Sequence, residues 1–146
     1  WKNIVLAARL RAGYILSPDL EHIMLNERFY LGGARSLRSY YTDCTPPLGE
    51  FEDKATCKHY VPRGGKAMVN SNVEVQFPLL WGLQGVLFQD LGALSDSNQG
   101  ILAGTGFGFL YKTPIGPLRF DIGWKWSCQK PFDRSYAWYV TLGQVF

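Results

Sequence analysis

The sequence predicts an all-β fold in which six antiparallel strands form part of a transmembrane β-barrel. Between Pro117 and Trp126 the residues of one parity are Leu118, Phe120, Ile122, Trp124 and Trp126, and the others are Pro117, Arg119, Asp121, Gly123 and Lys125. Because side chains alternate between the faces of a strand, this segment has a lipid-compatible face and a polar face. A transmembrane helix is excluded because no run of about 18 apolar residues occurs, whereas a tilted strand of about nine to eleven residues can span a bilayer.

The same alternation recurs along the chain. The predicted strands are Trp1 to Tyr14, Lys66 to Phe77, Leu83 to Leu91, Ile101 to Thr113, Pro117 to Trp126 and Tyr136 to Phe146. In the second of them the polar parity consists of Met68, Asn70, Asn72, Glu74 and Gln76. Polarity is less decisive in the third, since Val86 and Phe88 share a face with Gln84 and Asp90. In the fourth, Gly104, Gly106 and Gly108 form a row that lets another group approach the backbone closely.

The connections between these strands alternate in length. Pro78 to Gly82 and Pro114 to Gly116 are tight, whereas 29–65, 93–100 and 129–135 are longer, and 17–28 is polar and turn-like. Short periplasmic turns and long outer loops are typical of membrane barrels, so the C-terminal Phe146 is expected on the periplasmic side. The stretch 29–65 is predicted to be a long irregular loop, and a connection of that length usually has a function.

Six strands are too few for a membrane barrel, because the smallest ones close with about eight. The chain begins at Trp1 within a strand-like pattern and without an export signal, so we expect it to be a processed piece or fragment of a longer protein. The formal net charge is +3, and no cluster of basic residues on one face suggests nucleic acid as a partner.

The three cysteines are Cys44, Cys57 and Cys128. Cys44 and Cys57 flank a polar, charged stretch, and in an oxidising compartment they could form a loop disulfide that contributes about 3 kcal/mol. Cys128 would then remain unpaired. The alternative, in which the three cysteines are metal ligands, lacks any CxxC spacing, and no metal site or cofactor is predicted.

Several short motifs carry a resemblance to a known family. The segment ERFYLGGARSLRSY begins at Glu27 and contains the pair Gly32 and Gly33, followed by Leu37, Arg38, Ser39 and Tyr40. Downstream come GGKAMVNSNVEVQFP from Gly64, LFQDLG from Leu87, TPIGPLRFDIG from Thr113 and a terminal strand that ends at Phe146. In this order the motifs resemble the C-terminal barrel of the outer-membrane assembly-factor family of BamA and TamA, the bacterial surface antigens. Ser39 stands where that family has glycine.

This resemblance implies that residues 1–146 are part of one barrel domain, of 16 strands when complete, with its first strands and periplasmic domains outside this sequence. It implies that the long outer loop folds into the barrel and that Arg38 docks on Glu74 and Asp90 of the inner wall. A guanidinium can bind two carboxylates through its fork of donors, which lysine cannot imitate. The alternative is that Arg38 is an ordinary loop arginine exposed to solvent.

The resemblance also implies a function. Gly143 and Phe146 are similar to the family's terminal β-signal, although Phe146 could equally be an interfacial anchor. The closing strand of such barrels pairs weakly with the first, so that a lateral seam can template the strands of a client by strand addition. The implied partners are unfolded outer-membrane protein clients, the lipid bilayer of the Gram-negative outer membrane, and accessory lipoproteins or a periplasm-spanning partner.

Other functions remain to be compared with this one. An enzyme is not expected, because His22 and His59 lie in polar loop surroundings without a nucleophile or metal motif. A two-partner-type secretion pore would share the loop arginine and the barrel but export one dedicated client, and a passive porin would leave the lumen open. Arg119 and Asp121, two residues apart in one strand, are interpreted as ordinary lumen charges.

Overall fold

One antiparallel sheet of six strands dominates the structure, a computed structural model that describes residues 4–42, 45, 48–52, 58–95, 100–114, 116–126 and 135–143. The strands of this sheet are β1 (Val5–Tyr14), β4 (Ala67–Pro78), β5 (Leu83–Leu94), β6 (Leu102–Thr113), β7 (Gly116–Lys125) and β8 (Tyr136–Leu142). Their order is β1-β4-β5-β6-β7-β8, and every neighbouring pair is antiparallel. The predicted all-β class is confirmed. Since β1 and β8 are the two edges, the sheet is a segment of a barrel wall and not a closed barrel.

The two faces of the sheet differ as the alternation predicts. On the outer face, aromatic and aliphatic side chains are exposed on every strand, among them Leu10, Val73, Leu87, Phe107, Trp124 and Trp138. The inner face holds the buried polar residues Asn70, Asn72, Glu74, Asp90, Arg119 and Asp121. Asp90 lies on this inner face together with Phe88, which settles the strand whose polarity the sequence left least decisive. An apolar exterior and a polar, filled interior are the arrangement of a membrane barrel.

The connection between β1 and β4 contains more regular structure than the sequence predicts. Two short 3-10 helices, Leu20–His22 and Leu25–Glu27, follow β1, and a hairpin of β2 (Leu48–Glu52) and β3 (Lys58–Pro62) lies further along. The prediction of an irregular loop over 29–65 is therefore wrong for the hairpin, whose Gly, Pro and charged residues hid the strand pattern. None of the helical segments in the described ranges is long and apolar enough to cross a membrane.

The loop folds inward and supplies much of the apolar core. Leu31, Leu37 and Tyr40 of the loop are buried and pack with Leu94 of β5 and Leu102 of β6. Phe29 of the loop pairs with Gly65 through two backbone hydrogen bonds of 2.9 Å, which returns the loop to the start of β4. Because the core lies between the loop and the inner wall, loop and wall hold each other in place.

Candidate functional site

The loop turns sharply at its glycine pair before it reaches the inner wall. Gly32 and Gly33 have φ angles of 107° and 100°, a left-handed conformation that disfavours side chains. The Ser36 hydroxyl accepts a hydrogen bond from the Gly32 N–H at 2.9 Å and donates one to the Gly32 carbonyl at 2.8 Å. The turn closes when the Gly33 N–H donates to the carbonyl of Tyr40 at 3.1 Å. Residues 32–40 therefore form a compact tip with Arg38 at its inner end.

Arg38 is 1% exposed and binds two carboxylates of the wall. Its Nε donates to Asp90 Oδ2 at 2.9 Å and its Nη2 to Asp90 Oδ1 at 2.7 Å, which is a bidentate pair. Its Nη1 donates to Glu74 Oε2 at 2.7 Å, and its backbone N–H donates to Asp90 Oδ2 at 2.9 Å. The guanidinium carbon also lies 3.7 Å from the centre of the Phe88 ring. The structure thus brings Arg38, Glu74 and Asp90 together.

A second arginine belongs to the same cluster. Arg119 of β7 donates to both oxygens of Glu74, from Nη1 at 2.9 Å and from Nη2 at 2.7 Å. Its Nε donates to Asp121 Oδ2 at 2.6 Å. Arg119 is 2% exposed and Asp121 is fully buried, so the interpretation of this pair as ordinary lumen charges is wrong. Spacing along the sequence could not show that β4, three positions away from β7 in the sheet, supplies the partner Glu74.

Wall side chains also bind the backbone of the loop tip, in addition to the Arg38 side chain. The Arg35 carbonyl accepts hydrogen bonds from Arg9 and, at 2.8 Å, from Arg11, both of β1. The Ser36 carbonyl accepts a hydrogen bond from Asn72 Nδ2 at 2.5 Å. Asn72 also donates to Asp90 Oδ1 at 2.8 Å. These polar side chains follow the inward parity of β1 and β4, but only the fold shows that they converge on two adjacent carbonyls.

Glycines of the wall leave room for the loop. A Cβ at Gly123 would lie 2.9 Å from the Ser39 nitrogen and 3.0 Å from the Arg38 carbonyl carbon, and one at Gly104 would overlap the Ser39 side chain. Ser39 is completely buried, and it is absent from the non-glycine residues with positive φ. The turn at Ser39 therefore does not need the glycine that the family has there. The loop can approach the wall closely because the wall has glycines at 104 and 123.

Tyr40 completes the docking. Its carbonyl accepts a hydrogen bond from the Tyr139 hydroxyl of β8 at 2.6 Å, and the Lys125 ammonium of β7 lies 4.9 Å from the centre of its ring. Through Tyr139 the loop tip reaches the strand at the edge of the sheet. The tip thus contacts every strand of the wall from β1 to β8.

The electrostatics of the cluster favour a fixed loop over chemistry. Two guanidinium groups face the three carboxylates of Glu74, Asp90 and Asp121. Burial alone would lower the pKa of Arg38, but its hydrogen bonds and its attraction to Asp90 and Glu74 outweigh burial and raise the pKa. Arg38 therefore stays charged. The arrangement binds one segment to another, and no group in it is placed as a nucleophile beside a base.

Some predicted site residues lie outside the residues that the structure describes. These are Cys44, Cys57 and Phe146, so the loop disulfide and the terminal aromatic of the β-signal stay predictions. Gly143 is described, with a φ of 101° and a hydrogen bond of 2.8 Å from its N–H to the Pro117 carbonyl. Its conformation marks the point at which β8 ends.

A side chain at Gly123 should displace the loop. Gly123→Val is expected to cost the docked conformation about 1–3 kcal/mol, the usual penalty of overpacking, because the new atoms would meet the backbone of Arg38 and Ser39. Protease cleavage within 29–65 in outer membranes would measure the displacement. Ala103→Val, on the outer face of β6, is the matched control and should leave cleavage unchanged. Equal protection of the loop in both variants would contradict the close fit.

Comparison with known proteins agrees with this architecture. The Omp85 superfamily domain matches residues 1–146. Over 158 aligned residues, 30% are identical to the outer membrane protein assembly factor BamA of Nitratidesulfovibrio vulgaris. The alignment covers 99% of this chain but only 18% of that relative.

These matches account for the apolar outer face and the filled polar interior. They place the chain in the outer membrane of a Gram-negative bacterium, and the resemblance drawn from its short motifs is confirmed. The chain belongs to the Omp85 superfamily.

Proposed function

We propose that this chain is the C-terminal barrel portion of a factor that assembles and inserts outer-membrane β-barrel proteins. The observation that best supports it is the burial of Arg38 between Glu74 and Asp90, because this contact fills the interior with the loop. The assembly role of the similar protein from N. vulgaris supports the same function. The clients would be unfolded outer-membrane proteins. The protein's other partners would be the lipid bilayer and accessory lipoproteins or a periplasm-spanning partner.

The docked arginine would serve to position the loop. Burial of five charged groups costs desolvation, and a buried ion pair seldom adds net stability over apolar packing. The cluster instead allows one arrangement, since the fork of Arg38 matches Asp90 on one side and Glu74 on the other. A loop fixed in this way closes the lumen and supports the wall from inside.

The edge strand β8 would be the place where clients are built. It pairs with β7 on one side and is the last strand of the sheet, so its other side can accept hydrogen bonds from a further strand. Strand addition provides affinity through main-chain hydrogen bonds and selection through alternate side chains. We propose that a complete barrel of 16 strands closes weakly here and opens as a lateral seam, without covalent chemistry.

Reconstitution of the whole protein in liposomes would test this function. A chemically denatured outer-membrane barrel is added, and its folded fraction is followed by its altered electrophoretic mobility without heating. Folding that exceeds the rate in empty liposomes, for several unrelated clients, is expected. Empty liposomes and liposomes with the heat-denatured protein are the controls.

The same liposomes separate the competing functions. A two-partner-type secretion pore would transport one dedicated client to the lumen and accelerate no others. A passive porin would show a large conductance at rest, whereas the docked loop predicts a small conductance that rises when the loop is deleted. Absence of any acceleration for all clients would reject the assembly function.

A further inference from the structure

The two carboxylates that receive Arg38 depend on it to very different extents. Among the residues that the structure describes, Asp90 accepts four hydrogen bonds, of which three come from Arg38 and one from Asn72. Within the same described ranges Glu74 also accepts four, of which one comes from Arg38. The other three come from the wall itself, two from Arg119 and one of 2.7 Å from Gln76 Nε2. Departure of the loop would thus leave Asp90 largely unpaired and Glu74 well satisfied.

Arg119 is itself held in position. Its Nε bonds Asp121 of the same strand at 2.6 Å, which leaves both terminal nitrogens directed at Glu74. Glu74 is on β4 and Arg119 on β7, so the pair crosses the inner face of β5 and β6. Glycines of β6 make this crossing possible, since a Cβ at Gly108 would overlap the Asp121 carboxylate and one at Gly106 the Phe88 ring.

We propose that Arg119 is a positioning residue that keeps the wall half of the docking site assembled whether or not the loop is bound. With Glu74 held by Arg119, one oxygen, Oε2, is directed at the place where Arg38 arrives. Docking then needs no reorganisation of Glu74, and undocking leaves one buried carboxylate to be solvated instead of two. The loop can therefore detach and return. This inference rests on the proposed function of the docked loop.

The test compares loop protection in the whole protein in native outer membranes. Arg119→Gln removes the charge and the bidentate contact with Glu74, and the rate of protease cleavage within 29–65 should rise about tenfold, a loss of about 1.4 kcal/mol of docking. Arg119→Lys should not restore protection, because an ammonium cannot form the two parallel bonds. Thr141→Val is the matched control: Thr141 is the cross-strand neighbour of Arg119, and its buried hydroxyl has no hydrogen-bond partner in the described residues.

A second readout separates positioning from a general structural role. In an Arg38→Ala background, Arg119→Gln should increase cleavage no further, because a positioning residue acts only through Arg38. If Arg119→Gln alone leaves the loop as protected as the wild type while Arg38→Ala exposes it, the inference is overturned and the proposed docking stands. An undiminished effect of Arg119→Gln in the Arg38→Ala background also overturns it. Unchanged protection in Arg38→Ala would overturn the docking itself.

A milder variant covers the case in which Arg119→Gln does not fold. Asp121→Asn removes the charge that orients the Arg119 Nε but keeps the size of the side chain. Folding of the barrel is checked by its mobility without heating, and the cleavage rate should rise by about threefold, which corresponds to less than 1.4 kcal/mol. If the Asp121→Asn barrel folds and its loop is as protected as in the wild type, the positioning role of Arg119 is overturned.

Discussion

Replacement of Arg38 by alanine is expected to free the loop from the inner wall and to impair client assembly while the six strands stay folded. The substitution removes three side-chain hydrogen bonds to Asp90 and Glu74 and the contact with Phe88. Loss of one partner of a buried ion pair costs about 3–5 kcal/mol, because the other charge stays buried without compensation. The docked population should fall by roughly a hundredfold or more. Strand pairing does not involve Arg38, so the wall should persist.

Two measurements check this result in cells that depend on the variant. Protease added to intact cells should cleave within 29–65, and the level of folded outer-membrane proteins should drop. Arg35→Ala is the matched control, since Arg35 belongs to the same tip, its side chain is exposed, and its docked carbonyl is retained. Normal outer-membrane protein levels together with unchanged protease protection in Arg38→Ala cells would show that the docking idea is wrong.

The second large effect is expected for Asp90→Asn. Asp90 accepts three of the four hydrogen bonds that Arg38 makes to the two carboxylates, so an amide of the same size removes the charge that holds the guanidinium. The amide NH2 would also present donors where Arg38 presents donors. We therefore expect Asp90→Asn to destabilise the docked conformation of the loop by about 3–5 kcal/mol, close to the effect of Arg38→Ala.

A double-mutant cycle distinguishes a shared interaction from two independent defects. Loop cleavage in Arg38→Ala with Asp90→Asn should be no faster than in either single variant, because both delete the same contact. Asp19→Asn, at an exposed carboxylate of the outer connection, controls for the change in net charge. Additive effects of the two substitutions would mean that Arg38 and Asp90 act separately, contrary to the geometry of the cluster.

The alternation of side chains was sufficient to predict the wall. Charged and amide residues recur on one parity of 66–77 and 117–126, opposite an apolar parity, and a strand between lipid and a polar interior explains this alternation. The motif around Arg38 and the acids Glu74 and Asp90 could be related only through the family resemblance. No pattern in the sequence alone pairs a loop residue with a residue 52 positions away.

The tertiary structure decided which charges meet. Arg119 and Asp121 were predicted to be an ordinary pair of lumen charges, and only the sheet, which carries both β4 and β7, shows that Arg119 also binds Glu74. The strands of the loop hairpin were missed because turn-forming residues interrupt their short alternation. The alternation of side chains between the two faces of a strand depends only on local backbone geometry, so it can be predicted from the sequence. The close approach of Arg38 and Ser39 to Gly123 and Gly104 arises from packing between distant segments, so only the tertiary structure shows it.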